Sequence, residues 1–258
     1  MAAAQRTIRF CTASDGTRIA YSMAGKGRPV VKSFMWLNDI ESKVDSPGWA
    51  HWIALLSEGH QFVAHDLRGC GLSDRAVADT SLPAWVGHIE AVVDATALDR
   101  FVLVGLSQGA AIAIDYAARH PDKVAGLILC GGYTQGLHTR ASSVADRELG
   151  EALAKMMEFG WGNNNAAFRR IFSARVFPDG TVEQIGWMNA QMKACTTPAM
   201  AARILRDHCR DAAILPDAGP ACQARRRGAL RGRSHHGRPD SRRPLRAAGV
   251  ALAPADSD

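Results

Sequence analysis

Apolar positions in the first half of the chain come in short runs separated by longer amphipathic stretches. Thr7–Thr12 and Thr17–Met23 flank Asp15-Gly16, a pattern that predicts a β-hairpin. Pro29–Phe34 and Gln61–His65 are short apolar strands. Phe101–Gly105 and Val124–Cys130 are continuous apolar runs, as expected of strands buried on both faces. Between them, Pro47–Leu56, Pro83–Thr96 and Gln108–Arg119 carry apolar residues at helical spacing. Strands alternating with helices imply βαβ units and a parallel sheet. From Tyr133 to about Arg210 the strand pattern stops. Ala141–Gly160, Asn164–Phe172, Thr181–Ala194 and Pro198–Arg210 read as helices. A helical insertion after several βα units predicts a cap over the carboxyl edge of the sheet, where ligands bind in open α/β folds.

The chemistry concentrates at Gly105-Leu106-Ser107-Gln108-Gly109, a G-x-S-x-G segment. Such a short motif gains meaning from its setting, and here it joins a buried strand to a small-residue helix. Glycines at Gly105 and Gly109 let strand and helix approach closely. The turn would lift the Ser107 hydroxyl out of the sheet at a helix N-terminus. Free N–H groups and the positive end of the helix dipole would meet an oxyanion there.

With these residues the chain resembles the α/β-hydrolase family, serine-nucleophile branch, over residues 5 to about 215. TASDGTRIAYSMAGKGRPVV looks like its opening strands, HDLRGCGLSD like the segment after its fourth strand, and FVLVGLSQGAAIAIDYAARHPDKVAGLILCGG like its elbow, helix and sixth strand. WLNDIESKVDSPGWAHW is similar to hydrolase modules of bacterial regulators. The resemblance implies a doubly wound, mostly parallel sheet, with core residues 1–133 and a helical cap over 134–210. It implies esterase-type hydrolysis of a small ester-like substrate, with a cofactor-free peroxidase as a lesser option. It implies Ser107 as nucleophile and the N–H groups of Gln108 and Trp36 as the oxyanion hole, with no metal or organic cofactor. Where the family often has His-Gly, this chain has Phe34-Met35. A serine rather than an aspartate at the elbow argues against dehalogenase and epoxide-hydrolase chemistry. Asp66, Arg68, Gly69, Gly71 and Ser73 are expected to build a structural loop. Met156, Met157, Phe159, Trp161, Phe172, Trp187, Met188 and Met192 could line an apolar pocket or simply pack the cap.

The net charge of +6 is unevenly placed. Residues 216–258 hold nine Arg and four Asp, with no Lys, Glu, Ile, Phe, Trp, Tyr or Met, which leaves +1 for residues 1–215. A serine hydrolase needs a base and an acid, and in this fold they follow the serine in the order acid, then His. The resembled family carries them after its seventh and eighth strands. No strand of that kind is legible after Leu215, and neither His235-His236 nor Asp217 or Asp240 has a pattern that assigns it to a triad. Residues 211–258 are therefore expected to be an irregular Arg/Pro/Ala-rich tail in place of the rest of the core.

Arg excess without Lys is what a GC-rich gene yields when read out of frame. Read one base later, the degenerate codons of Pro216–Asp256 permit a string beginning PTLVLH that resembles the missing strands, acid and His. The acid would be encoded across Arg225/Arg226 and the His across Ala253/Pro254. The rival expectation is a native basic extension, which could bind phosphate backbones non-specifically. The frameshift reading is preferred, so nucleic acid is disfavoured as a partner, and the chain as written is expected to be impaired or a catalytically dead remnant.

No run approaches eighteen apolar residues, which disfavours a membrane span. The opening MAAAQRTIRF lacks the apolar core of a secretory signal, so a cytoplasmic setting with reduced thiols is expected. Of the six cysteines, Cys70 reads as a loop thiol and Cys130 as core. His208 reads as a solvent-facing helix residue.

Overall fold

The computed structural model describes residues 6–33, 38–42, 46–136, 138, 141 and 143–210. Trp36, Asp211, Asp217, His235, His236, Asp240 and the whole predicted tail of 211–258 lie outside the described residues.

Six strands form one mixed sheet. They are β1 (Thr7–Thr12), β2 (Arg18–Ala24), β3 (Arg28–Ser33), β4 (His60–His65), β5 (Phe101–Leu106) and β6 (Val124–Cys130), in spatial order β1-β2-β4-β3-β5-β6. The first two are an antiparallel hairpin, and β2 also runs antiparallel to β4. From β4 through β3 and β5 to β6 every pairing is parallel. The crossovers use α1 (Ala50–Ser57), α2 (Leu82–Ala95) and α3 (Gln108–Arg119). This is the mostly parallel α/β sheet expected from the alternation of runs.

Period-two alternation explains how both sheet faces are covered. Val31, Val63 and Leu103 point into one cluster with Val86, Ile89, Ile112 and Tyr116 from α2 and α3. Val30, Phe62, Ala64 and Val104 point into the other, where Trp49, Ile53 and Leu56 close over them.

Four further helices follow β6: α4 (Val144–Gly160), α5 (Ala167–Val176), α6 (Val182–Cys195) and α7 (Pro198–Arg210). Their starts are set by local chemistry. Ser143 and Asp146 form a capping box on α4, and Thr181 and Gln184 form another on α6. The helix expected over 164–172 instead begins at Ala167 and runs to Val176. Asn165 accepts the Ala167 N–H at 2.9 Å, which holds the preceding residues in a turn.

Of the apolar residues that could have lined a pocket, Met157, Trp161, Met188 and Met192 are fully buried in the larger core cluster. Phe172 and Trp187 pack against it, and Phe159 projects outward. Most of them are packing residues. Cys70 lies in a loop, as expected, yet is fully buried in the core. It is buried against Cys195, and that neighbour together with burial pushes its thiol well above the ordinary range.

Candidate active site

Ser107 stands between the end of β5 and the first turn of α3 with φ 55° and ψ −123°. Only Ala97 and Ser107 among the described non-glycine residues have a clearly positive φ. Such a conformation costs about 1–3 kcal/mol and persists where the surroundings over-determine it. Here the surroundings are specific. The Ser107 N–H donates to the Cys130 carbonyl at 3.0 Å, and its own carbonyl accepts the Ala110 N–H at 3.1 Å.

Two glycines make the turn possible. A Cβ on Gly105 would lie 2.7 Å from Ala110 Cα and 2.9 Å from the Gly109 carbonyl oxygen. A Cβ on Gly132, just after β6, would lie 2.2 Å from Ala110 Cβ. Gly109 is buried in the first turn of α3. Gly132 carries as much of the close packing as Gly105, yet lies outside the G-x-S-x-G spacing; the GG pair following an apolar strand was its only signal.

The Ser107 side chain makes no capping hydrogen bond to α3. The first N–H groups of that helix have no intrahelical acceptor by its geometry, so they are available to a developing negative charge. Two neighbouring buried side chains also lack hydrogen-bond partners among the described residues. Both amide atoms of Gln108 and the hydroxyl of Ser33, which pairs in register with Gly105, are unsatisfied. Unpaired buried polar atoms cost about 1–3 kcal/mol each, so their clustering beside Ser107 marks a place where water or a substrate would complete them.

Among the described residues, no histidine or carboxylate hydrogen-bonds the Ser107 hydroxyl. His65 and His88 are fully buried elsewhere, with rings edge to face and centroids 6.2 Å apart. Burial holds His65 down to about 3 and His88 well below the usual range, so both are neutral. His208 departs from its expected solvent-facing role. Its Nε2 hydrogen-bonds the Tyr133 hydroxyl, and the two rings lie 5.0 Å apart, which pins α7 against the segment after β6.

The Asp66–Ser73 loop is structural, as expected. The Asp66 carboxylate accepts from Asn38 Nδ2 at 2.7 Å, Ile40 N–H at 2.8 Å and Leu72 N–H at 3.0 Å. Asn38 also accepts from the buried Lys32 ammonium at 2.8 Å. Burial pushes the Asp66 carboxyl up to about 7, against the pull of the Leu72 and Ile40 N–H groups. Arg68, buried, donates to His88 Nε2 and to Asp15, each at 2.6 Å. The second oxyanion donor expected from Trp36 lies outside the described residues.

A family model described as alpha/beta hydrolase fold matches residues 41–170, half of the sequence. The chain belongs to the α/β-hydrolase family. This α/β-hydrolase is 38% identical over 87 residues to a 2-hydroxymuconate semialdehyde hydrolase of Pseudomonas sp. (strain CF600), covering 32% of this chain and 31% of that one. It is 34% identical over 124 residues to a non-heme haloperoxidase of Rhodococcus erythropolis, covering 47% and 43%. The chain thus spans less than half the length of these curated relatives. Its fold matches an esterase from Exiguobacterium antarcticum with a TM-score of 0.65 at 20% identity, over 80% of this chain and 75% of that one. Among the described residues no group of His, Cys, Asp and Glu could hold a metal ion, and no helix is long and apolar enough to cross a membrane.

Proposed function

We propose that the chain is a serine hydrolase of small ester-like substrates by ancestry, with Ser107 as nucleophile, and that it acts weakly because acid and base do not reach that serine. The left-handed backbone at Ser107, held between β5, α3 and the Cys130 carbonyl, is the observation that carries this reading. Strained backbone of this kind clusters at functional sites.

In the reaction, Ser107 Oγ would form a bond to the substrate carbonyl carbon. Negative charge would collect on the carbonyl oxygen, facing the Gln108 N–H and, from the loop after β3, that of Trp36. Collapse would expel the alcohol and leave an acyl-serine, which water would then hydrolyse. Proton transfer from Oγ and to the leaving oxygen needs a general base and acid. The core at 1–133 and cap at 134–210 would supply nucleophile and substrate cover, and the missing pair would belong to residues beyond 210. The composition of residues 216–258 and the strand-like string one base out of register support a frameshift as the reason. Likeness to a hydrolase and to a non-heme haloperoxidase supports hydrolysis, with peroxidase activity as the lesser option. A non-catalytic remnant is the second reading, favoured because no described histidine or carboxylate hydrogen-bonds Ser107 Oγ. Small molecules remain the proposed ligands, in a cytoplasmic setting.

The test is labelling with a fluorophosphonate probe, read by mass spectrometry of the Ser107 peptide, together with the nucleotide sequence across codons 205–258. Labelling is expected to be slow, and a gene restored by one base is expected to label and hydrolyse a p-nitrophenyl ester about a thousandfold faster or more. Rapid labelling of the chain as written would overturn the impairment. Labelling at another residue in the restored chain would overturn Ser107 as nucleophile.

A further inference from the structure

Two free cysteines meet where the helices after β6 touch the loop after β4. Cys70 sits in that loop, and Cys195 ends α6, far away in the chain. Both side chains are fully buried. Their thiols are hydrogen-bonded to each other, and the Thr196 hydroxyl contacts the Cys70 thiol as well. Cys11, by contrast, gives its thiol to the Ile19 carbonyl at 3.8 Å.

The backbone around the pair is pinned. Gly71 N–H donates to the Cys195 carbonyl at 2.8 Å, which joins the peptide group just after one cysteine to the peptide group just after the other. The Thr196 hydroxyl donates to the Gly69 carbonyl at 2.5 Å. Arg75 ties the same junction from outside, with Nε on the Gly71 carbonyl at 2.9 Å and Nη2 on the Ala194 carbonyl at 3.0 Å. A disulfide asks for α-carbons about 4.4–6.8 Å apart and side chains that point at each other. Bonded peptide groups beside each cysteine and contact between the two sulfurs meet both conditions.

We propose that Cys70 and Cys195 are a latent disulfide site, whose oxidation locks the end of α6 to the loop after β4. The oxidant is a small disulfide of the glutathione class. One cysteine thiolate attacks it, forms a mixed disulfide and releases one glutathione. The second cysteine, as thiolate, attacks the sulfur of the first and releases the other. Two electrons pass from the cysteine pair to the glutathione disulfide, and the two cysteine protons end on the two released glutathiones. In a reducing setting the pair stays as thiols, and the bond forms when the disulfide couple becomes more oxidising.

Burial sets the pace. Only a thiolate attacks, while the neighbouring thiol and burial keep Cys70 protonated. Met200 closes over the loop at Gly69, where a Cβ would lie 2.8 Å from its side chain. Exchange therefore begins when the junction opens locally, and reclosure brings the second sulfur to the mixed disulfide. The bond closes a loop of roughly 125 residues, a length at which a cross-link strongly restrains the unfolded chain. It forms whether or not Ser107 is a nucleophile.

The test uses the full chain with reduced thiols, incubated with excess oxidised glutathione at about pH 8.5, where an ordinary thiol is half ionised. A parallel incubation contains urea below the unfolding midpoint. Non-reducing peptide mass spectrometry reads the linkage, and circular dichroism reads Tm. A linked Cys70–Cys195 peptide pair is expected, formed about tenfold faster or more in urea. Tm should rise by ~5 °C or more and return on reduction with dithiothreitol. Cys195→Ser should abolish the rise, and Cys11→Ser should leave it. Two reduced thiols after both incubations overturn the proposal. So does separate capping of Cys70 and Cys195 by glutathione, a linked chain whose Tm is unchanged or lower, or a rise that survives Cys195→Ser.

Discussion

The Ser107 N–H and the Cys130 carbonyl, 3.0 Å apart, join the nucleophile elbow to the last described strand of the sheet. The bond fixes a serine at φ 55°, a region that suits glycine. Ser107→Gly keeps the N–H and the bond while removing the strain. It should therefore stabilise the fold by about 1 kcal/mol, and raise Tm by ~2–4 °C for a domain of this size. Thermal denaturation followed by circular dichroism checks this, and an unchanged or lower Tm would show that the turn carries no strain. Fluorophosphonate labelling of that peptide should vanish in the same variant.

The elbow also predicts where a single methyl group does damage. Gly105→Ala places Cβ within 3 Å of Ala110 Cα and of the Gly109 carbonyl. Neither is the flexible end of a side chain, so backbone must move. Gly132→Ala meets Ala110 Cβ at a still shorter separation. Each change should cost about 2–3 kcal/mol in urea denaturation. Gly16→Ala is the control for position. Nothing lies within 4 Å of its Cβ, and only its positive φ opposes the change, at about 1 kcal/mol.

Much of this fold could be read along the chain because strands and helices alternate with clear periods, and each parallel strand is a local apolar run. The elbow was legible for the same reason, since strand, turn and helix are contiguous. What escaped was long-range pairing of polar groups. Lys32 and Asn38 sit on and just after β3 while Asp66 follows β4, and nothing local says that their side chains share one buried network. Cys70 follows a glycine in a loop, yet the loop folds under α6, where Gly71 N–H reaches the Cys195 carbonyl at 2.8 Å. His208 lies on a helix whose exposed face looked polar, and only the packing of α7 brings it to Tyr133. For Cys70 and His208 the partner is more than seventy residues away, on an element whose orientation the pattern leaves open.

Arg68 holds another long-range arrangement together. Its guanidinium is 2% exposed and donates at once to His88 and Asp15, with the Asp79 carbonyl as a third acceptor. A lysine has one donating centre and cannot span His88 and Asp15 together. Arg68→Lys should therefore cost about 2–3 kcal/mol in chemical denaturation, because His88 Nε2 or the Asp15 contact goes unmet in the interior. Asp15→Asn should cost less, about 1 kcal/mol, since that carboxylate is half exposed and the amide still accepts from Arg68. Equal costs for the two variants would mean that the ion pair, rather than the fork geometry, is what matters.

Asp66 and His65 are adjacent in sequence and pull stability in opposite directions with pH. Burial raises the Asp66 carboxyl from 3.8 to about 7, so between those values the folded chain binds a proton that the unfolded chain releases. Its contribution is fully present below about pH 4 and is lost as pH rises through 7. Burial lowers His65 from 6.5 to about 3, so the unfolded chain binds the extra proton. Its contribution is present above about pH 6.5 and is lost as pH falls toward 3. Between pH 4 and 6.5 the Asp66 and His65 slopes cancel in large part, and His88, which burial also holds well below its usual range, leaves the wild-type stability rising with pH. Asp66→Asn removes the descending slope. Its overall stability should fall, because an amide nitrogen would face the donors from Asn38, Ile40 or Leu72. Its remaining stability should nevertheless rise from pH 4 to 6.5 more steeply than that of wild type, as His65 loses its opposition. Urea midpoints measured across this window give the comparison directly, and parallel curves for the two proteins would show that Asp66 stays ionised throughout.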